Sequence, residues 1–206
     1  MGVVPDRVGV LGGSFDPVHY GHLVAGEEAR FALELAEVIF VPAGRPPHKL
    51  RRIITPAEHR WEMLSLAIAS NQFFRASRVD IDRAGPHYTV DTIALLQREL
   101  GSKVEIDFIV GLDSLLEMAS WREPERLLQM CHLVAVTRPG WTDLDLSKVD
   151  PRLREASERI RIIPIPLLDI SASGLRERVA AGRPIKYQLP EAVEDYIYRH
   201  GLYRAR

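Results

Sequence analysis

Six short apolar runs, rich in β-branched residues and cut off by glycine or proline, constrain this chain more than any other feature. They lie at 8–11, 38–41, 79–81, 104–110, 133–136 and 160–165. Gly12-Gly13 ends the first, Pro42 the second, Gly111 the fourth and Arg138-Pro139-Gly140 the fifth, while Pro164 makes the end of the sixth irregular. The 79–81 run is the weakest. Continuous apolar runs of this length must bury both faces, which is the signature of strands in a parallel sheet.

Helical patterns fill the intervals. Thr55 as N-cap, Pro56 at the first position and Glu58 at the third open a helix through Met63, Leu64, Ala67 and Ile68. A second runs from about 89 through Ile93, Leu96 and Leu100, with Gly101 as its stop. Pro124 starts a short one through Leu127 and Leu128. Ser171 caps one reaching 181, closed by Gly182 and Pro184, and a last one spans 190–200. Strands alternating with helices predict a Rossmann-like, doubly wound α/β fold with a small C-terminal helical part at about 171–206. At 206 residues a single domain is expected over 1–206. In such sheets ligands bind outside the carboxyl ends of the strands.

Charge narrows the functional classes. Lys and Arg total 27 against 28 Asp and Glu, a net charge of −1. Broad nucleic-acid or membrane-surface binding needs a basic excess, so neither partner is expected. No run approaches the ~18 apolar residues of a membrane span. The first six residues lack a basic stretch followed by an apolar one, and Cys131 is a lone cysteine. Both features fit a cytoplasmic chain.

The segment Gly12-Gly13-Ser14-Phe15-Asp16-Pro17-Val18-His19-Tyr20-Gly21-His22-Leu23 follows the first strand. Two glycines there let a ligand approach the backbone. A helix opening near Tyr20 presents unpaired N–H groups and the positive end of its dipole, a natural phosphate site. His19 and His22, three apart, lie about 60° apart around that first turn. Asp16 is read as fixing the turn. No G-x-G-x-x-G, P-loop or H-E-x-x-H pattern occurs, which weighs against a dehydrogenase, a P-loop enzyme and a zinc protease.

That segment resembles the H-x-G-H signature of the nucleotidylyltransferase superfamily. Ile170-Ser171-Ala172-Ser173-Gly174-Leu175-Arg176 resembles its second signature, with Ala172 where Ser and Ser173 where Thr are usual. Pro46-Pro47-His48-Lys49, Tyr88-Thr89-Val90-Asp91-Thr92, Gly111-Leu112-Asp113-Ser114-Leu115 and Trp121 complete a set. In this order they resemble the bacterial nicotinate-nucleotide adenylyltransferases, which join ATP and nicotinate mononucleotide into deamido-NAD with release of pyrophosphate. A pantetheine-phosphate adenylyltransferase is the nearest enzyme alternative, and a non-catalytic nucleotide-binding regulator an alternative of another class.

The resemblance implies residue roles. His19, His22, Lys49 and Arg176 would act on the phosphates in catalysis. Gly12, Gly13, Ser14, Phe15, Gly111, Asp113, Ser171 and Ser173 would bind ATP, with Asp113 on the ribose. Thr89, Trp121 and Arg122 would bind the nicotinate nucleotide, Trp121 by stacking. Mg²⁺ would arrive on the triphosphate, with no protein metal site. The 43–54 loop, carrying Lys49, is the candidate lid. His59, His87, His132 and His200 have no motif context and are read as structural or surface residues. The sequence is compatible with a homo-oligomer.

Overall fold

The computed structural model describes residues 7–44, 54–137, 140 and 157–205. Six parallel strands form one sheet in the order β3-β2-β1-β4-β5-β6. They are β1 (Arg7–Gly13), β2 (Glu37–Pro42), β3 (Phe74–Ala76), β4 (Glu105–Gly111), β5 (His132–Val136) and β6 (Ile160–Ile163). Seven helices are described: α1 (Tyr20–Ala32), α2 (Ala57–Ile68), α3 (Thr89–Leu100), α4 (Leu112–Glu117), α5 (Pro124–Met130), α6 (Ala172–Ala180) and α7 (Glu191–Arg199). The order reverses between β1, which pairs with β2, and β4, which pairs with β1 on its other side. The doubly wound expectation therefore holds, and the crevice of such a sheet opens at this switch point.

Alternating side chains divide the interior into two cores. Val8 and Val10 of β1, Ile39 and Val41 of β2, and Ile106, Phe108 and Val110 of β4 face one side. There they meet Val90, Ile93 and Leu96 of α3, Leu112 and Leu115 of α4, and Leu127 and Leu128 of α5. Leu11, Val38, Phe40, Ile109 and Val134 face the other, against α1, α2, α6 and α7. Leu175, Val179, Val193 and Ile197 belong to this second core, so the C-terminal helices share the sheet's own interior. Each such side chain, fully buried, contributes roughly 1.5–3 kcal/mol.

Two expected elements shift. The third strand is not at 79–81 but at Phe74–Ala76. It is an edge strand paired only with β2 and half-buried, so no long apolar run marks it. Residues 79–81 instead form a turn, closed by the Ile81 N–H on the Arg78 carbonyl at 2.7 Å. The second helix starts one residue late: Pro56 is its flanking residue, and Ala57 comes first. Thr55 is held outside by tertiary bonds, its N–H on Asp16 Oδ2 and its carbonyl on Arg60 Nε. The loop expectations at 43–54 and 138–151 fall largely outside the described residues, and with them Lys49, Arg45, Arg51 and Arg52.

The amino end of the sheet is structural. Asp107 is fully buried in β4, and Arg7 reaches both of its oxygens at 2.8 and 2.9 Å. Burial pushes the Asp107 carboxyl up, and the Arg7 guanidinium opposes that shift. Cys131 closes α5, with its thiol on the Leu127 carbonyl at 3.3 Å. Burial, assisted by the Asp107 charge, pushes that thiol up to about 12. The thiolate is the reactive form. At pH 8 the folded protein should therefore give almost no thiol with Ellman's reagent, and one per chain once guanidinium is added. Rapid labelling of the folded protein would contradict this burial.

Candidate active site

The cleft at the carboxyl ends of β1, β4 and β5 has a volume of about 680 Å³. That is the range of nucleotide-sized pockets. Its walls include Gly12, Gly13 and Ser14 after β1, Gly111 and Asp113 after β4, and Ile170 to Ser173 with Arg176 from α6. Thr89 at the head of α3 and the pair Trp121 and Arg122 line it too. Every expected site residue in the described part of the chain thus reaches one cleft.

His19 flanks α1 in extended conformation and is 5% exposed. Its backbone N–H donates to Nδ1 of His22 at 3.3 Å. An accepting Nδ1 places the neutral ring's proton on Nε2. The two rings lie 3.8 Å apart between centroids, tilted by 35°. Gly21 makes that stack possible: a Cβ there would stand 3.0 Å from the His19 ring. Gly21→Ala should push the His19 ring off this position and lower kcat about tenfold, the effect of one poorly placed catalytic donor being ~10-fold or more. Unchanged kcat in a folded variant would show that the close approach carries no catalytic weight.

Phe15 lines the cleft with little of its surface open to solvent. It is 1% exposed, and its ring meets the His22 ring edge-on at 5.0 Å. Its backbone is left-handed at φ 46°. For a bulky residue that region costs on the order of 1 kcal/mol. Phe15 thus lines the cleft where it also supports the His22 ring.

At the head of α6, Ser171 accepts the Gly174 N–H at 3.1 Å and lies 3.3 Å from the Ser173 hydroxyl. Ala172, the first residue of the helix, also lines the cleft. The starts of α1 and α6 adjoin: a Cβ on Gly21 would be 3.8 Å from the Ile170 carbonyl. Two helix N-termini therefore converge on the same space, an arrangement suited to holding anions. Arg176 donates Nη1 to the Asp16 carbonyl at 2.6 Å while still lining the cleft. Arg178 faces away, donating to the Pro184 carbonyl.

Asp113 is the second residue of α4, and Gly111 flanks that helix, so Asp113 is not its cap. Across the cleft, Trp121 packs edge-to-face on Phe108 at 6.2 Å, and the Arg122 guanidinium lies 4.7 Å over the Tyr88 ring. Among the described residues no cluster of three or more His, Cys, Asp or Glu side chains could hold a metal ion. No described helix is long and apolar enough to cross a membrane.

Sequence reasoning missed two groups. Arg60, 1% exposed, donates to the carbonyls of Ser14, Thr55 and Gly44 at 2.8, 2.9 and 3.3 Å. Burial lowers its pKa, with Asp16 and Tyr203 opposing. His87, read as structural or surface, is 7% exposed and lines the cleft, with Nε2 3.0 Å from the Arg83 carbonyl. Asp80 binds Arg83 and the Thr92 hydroxyl beside it, both at 2.8 Å.

The chain is similar to known proteins over most of its length. A family model described as cytidylyltransferase-like matches residues 10–178. A relative from Moorella thermoacetica, named "Probable nicotinate-nucleotide adenylyltransferase", is 51% identical over 98% of this chain and 94% of its own. One of the same name from Thermomicrobium roseum is 48% identical over 96% and 92%. In fold, the chain is similar to a Plasmodium falciparum nicotinic acid mononucleotide adenylyltransferase complexed with NaAD. The TM-score is 0.79 at 22% identity, covering 96% of this chain and 97% of that one. The chain belongs to the cytidylyltransferase-like family and, within it, to the nicotinate-nucleotide adenylyltransferases.

Proposed function

We propose that the chain transfers the adenylyl group of ATP to nicotinate mononucleotide, giving deamido-NAD and pyrophosphate in NAD biosynthesis. The observation that carries this reading is the meeting of the stacked His19–His22 pair with two helix N-termini in one cleft. That is a site for a polyphosphate, with room beside Trp121 for a second nucleotide.

The nucleophile is an oxygen of the mononucleotide 5′-phosphate, largely dianionic at pH 7 because its second pKa is about 6. It needs no general base. It forms a bond to the α-phosphorus of ATP, and the bond from that phosphorus to the β-phosphate oxygen breaks, releasing pyrophosphate. The protein's work is to align two anions and absorb developing negative charge. His22 Nε2–H is the donor suited to the α-phosphoryl group, since its Nδ1 is engaged by His19. Ser171, Ser173 and the head of α6 suit the β- and γ-phosphates. Arg176 reaches the same end of the cleft. Lys49, outside the described residues, keeps its proposed place on the triphosphate by resemblance. Mg²⁺ belongs to the substrate, carried by its phosphates and water.

The acceptor is read from the head of α3. Thr89, its first residue, lines the cleft as Trp121 does, and the N–H groups of a helix N-terminus suit a ring carboxylate. A carboxamide would turn its own N–H₂ against them, leaving a buried donor unpaired at a cost of about 1–3 kcal/mol. The kcat/KM for nicotinate mononucleotide should thus exceed that for nicotinamide mononucleotide about tenfold to a few hundredfold. Pyrophosphate release measured with each acceptor at saturating ATP tests this. Equal efficiencies would sink the acceptor assignment.

A further inference from the structure

We infer that Tyr203, directly behind the cleft wall, is a positioning residue for adenylyl transfer, fixing through Asp16 the loop that carries His19 and His22. The inference rests on the phosphate-site reading above.

The Tyr203 hydroxyl donates to Asp16 Oδ1 at 2.7 Å. The other carboxylate oxygen of Asp16 accepts the Thr55 N–H at 3.2 Å, and its backbone carbonyl accepts from Arg176 at 2.6 Å. Arg60 holds the preceding carbonyl but one, that of Ser14. The loop between β1 and α1 is thereby pinned at two points, Ser14 and Asp16, by side chains from α2, α6 and the segment after α7. Asp16 is 5% exposed, and neither Tyr203 nor Arg60 lines the cleft.

Both ends of this bridge are strained. Phe15, next to Asp16, sits at φ 46°, and Tyr203 at φ 63°. Non-glycine residues keep left-handed backbones only where surrounding contacts over-determine them, and such outliers gather at functional sites. Contact runs unbroken from Tyr203 to Asp16, along the chain to Phe15, and from the Phe15 ring to His22. Burial and the Asp16 carboxylate both raise the Tyr203 phenol's pKa, so it stays a donor across the working pH range. Losing that donor lets Asp16 relax toward other partners and shifts the His22 ring relative to the α-phosphorus. The nicotinate side of the cleft, built on α3 and the Trp121 turn, does not share these anchors.

The test is Tyr203→Phe, with Asp16→Asn, the double variant and surface Tyr187→Phe as the control. Tyr187 is 84% exposed. Tyr203→Phe should lower kcat about tenfold and weaken equilibrium ATP binding about threefold, a charge-assisted bond being at stake. The KM for nicotinate mononucleotide should stay within about twofold. The double variant should be scarcely worse than the poorer single one, as for groups acting through one contact. Tyr187→Phe should match the parent. Values of kcat and ATP Kd within twofold of the parent in folded Tyr203→Phe would overturn the inference, even where Tm falls. So would a kcat loss matched by an equal rise in the mononucleotide KM. If Tyr203→Phe does not fold, Asp16→Asn is read on the same two scales with the same two outcomes. A parent that binds ATP without turnover would count against the proposed reaction, and the ATP titration would still decide the role of Tyr203.

Discussion

His22→Ala is expected to fold normally and to lose about 10²–10³ in kcat, the usual cost of removing one preorganised donor to developing charge. His22 sits in the first turn of α1, half-buried, so its removal opens space at the cleft rather than in the core. What disappears is the Nε2–H donor whose tautomer the His19 backbone sets. His22→Asn separates the two functions of the ring. Its side-chain carbonyl can accept the His19 N–H and so retain the local cap, but it cannot carry a donor to where Nε2 stood. It should be nearly as slow as the alanine variant. Steady-state kinetics with circular dichroism provides the check. A folded His22→Ala enzyme with near-parental kcat would remove this residue from the mechanism.

Arg60→Met should be the most destabilising single change in the described chain. It removes the donor to three backbone carbonyls in a site that is 1% exposed. It also strips Asp16 of the nearby cation that offsets its buried charge. Breaking one side of such an arrangement costs about 3–5 kcal/mol. For a chain of this size that corresponds to a melting temperature lower by roughly 6–20 °C. Arg60→Lys should recover only a minor part, because an ammonium point charge cannot fork to three separated carbonyls. Differential scanning calorimetry on parent and variants is the measurement. A Tm for Arg60→Met within about 3 °C of the parent would mean that the bonds contribute little.

Strands buried on both faces were legible because their composition has no alternative home. β1, β2, β4 and β5 are such strands and fall on apolar runs, and the edge strand β6, though partly exposed, falls on one too. β3 was not legible, because its three residues, Phe74–Ala76, include an arginine and make no continuous apolar run, while Val79 and Ile81 mimicked one nearby. The glycine and histidine segment after β1 was legible since its chemistry is local: His19 and His22 are neighbours by helical spacing alone. Arg60 did leave a trace. It lies three, four and seven residues before Met63, Leu64 and Ala67, on the apolar stripe of α2, where a charge must find buried partners. Tyr203 left none, because its partner is 187 residues away and no local pattern encodes such a distance. The packing of the Phe15 ring on His22 left none either: it accompanies a φ of 46°, which residue type does not reveal.

The 187-residue separation between Asp16 and Tyr203 also sets a timetable for biosynthesis. At ribosomal rates of about 5–20 residues per second, the two partners are made roughly ten to forty seconds apart. Throughout that interval a nascent chain carries both imidazoles but lacks one hydroxyl that holds their loop. Release factors acting early would leave a polypeptide with the signature histidines and an untethered Asp16. The bond from Tyr203 to the loop of the two histidines can therefore form only after α7 has been made.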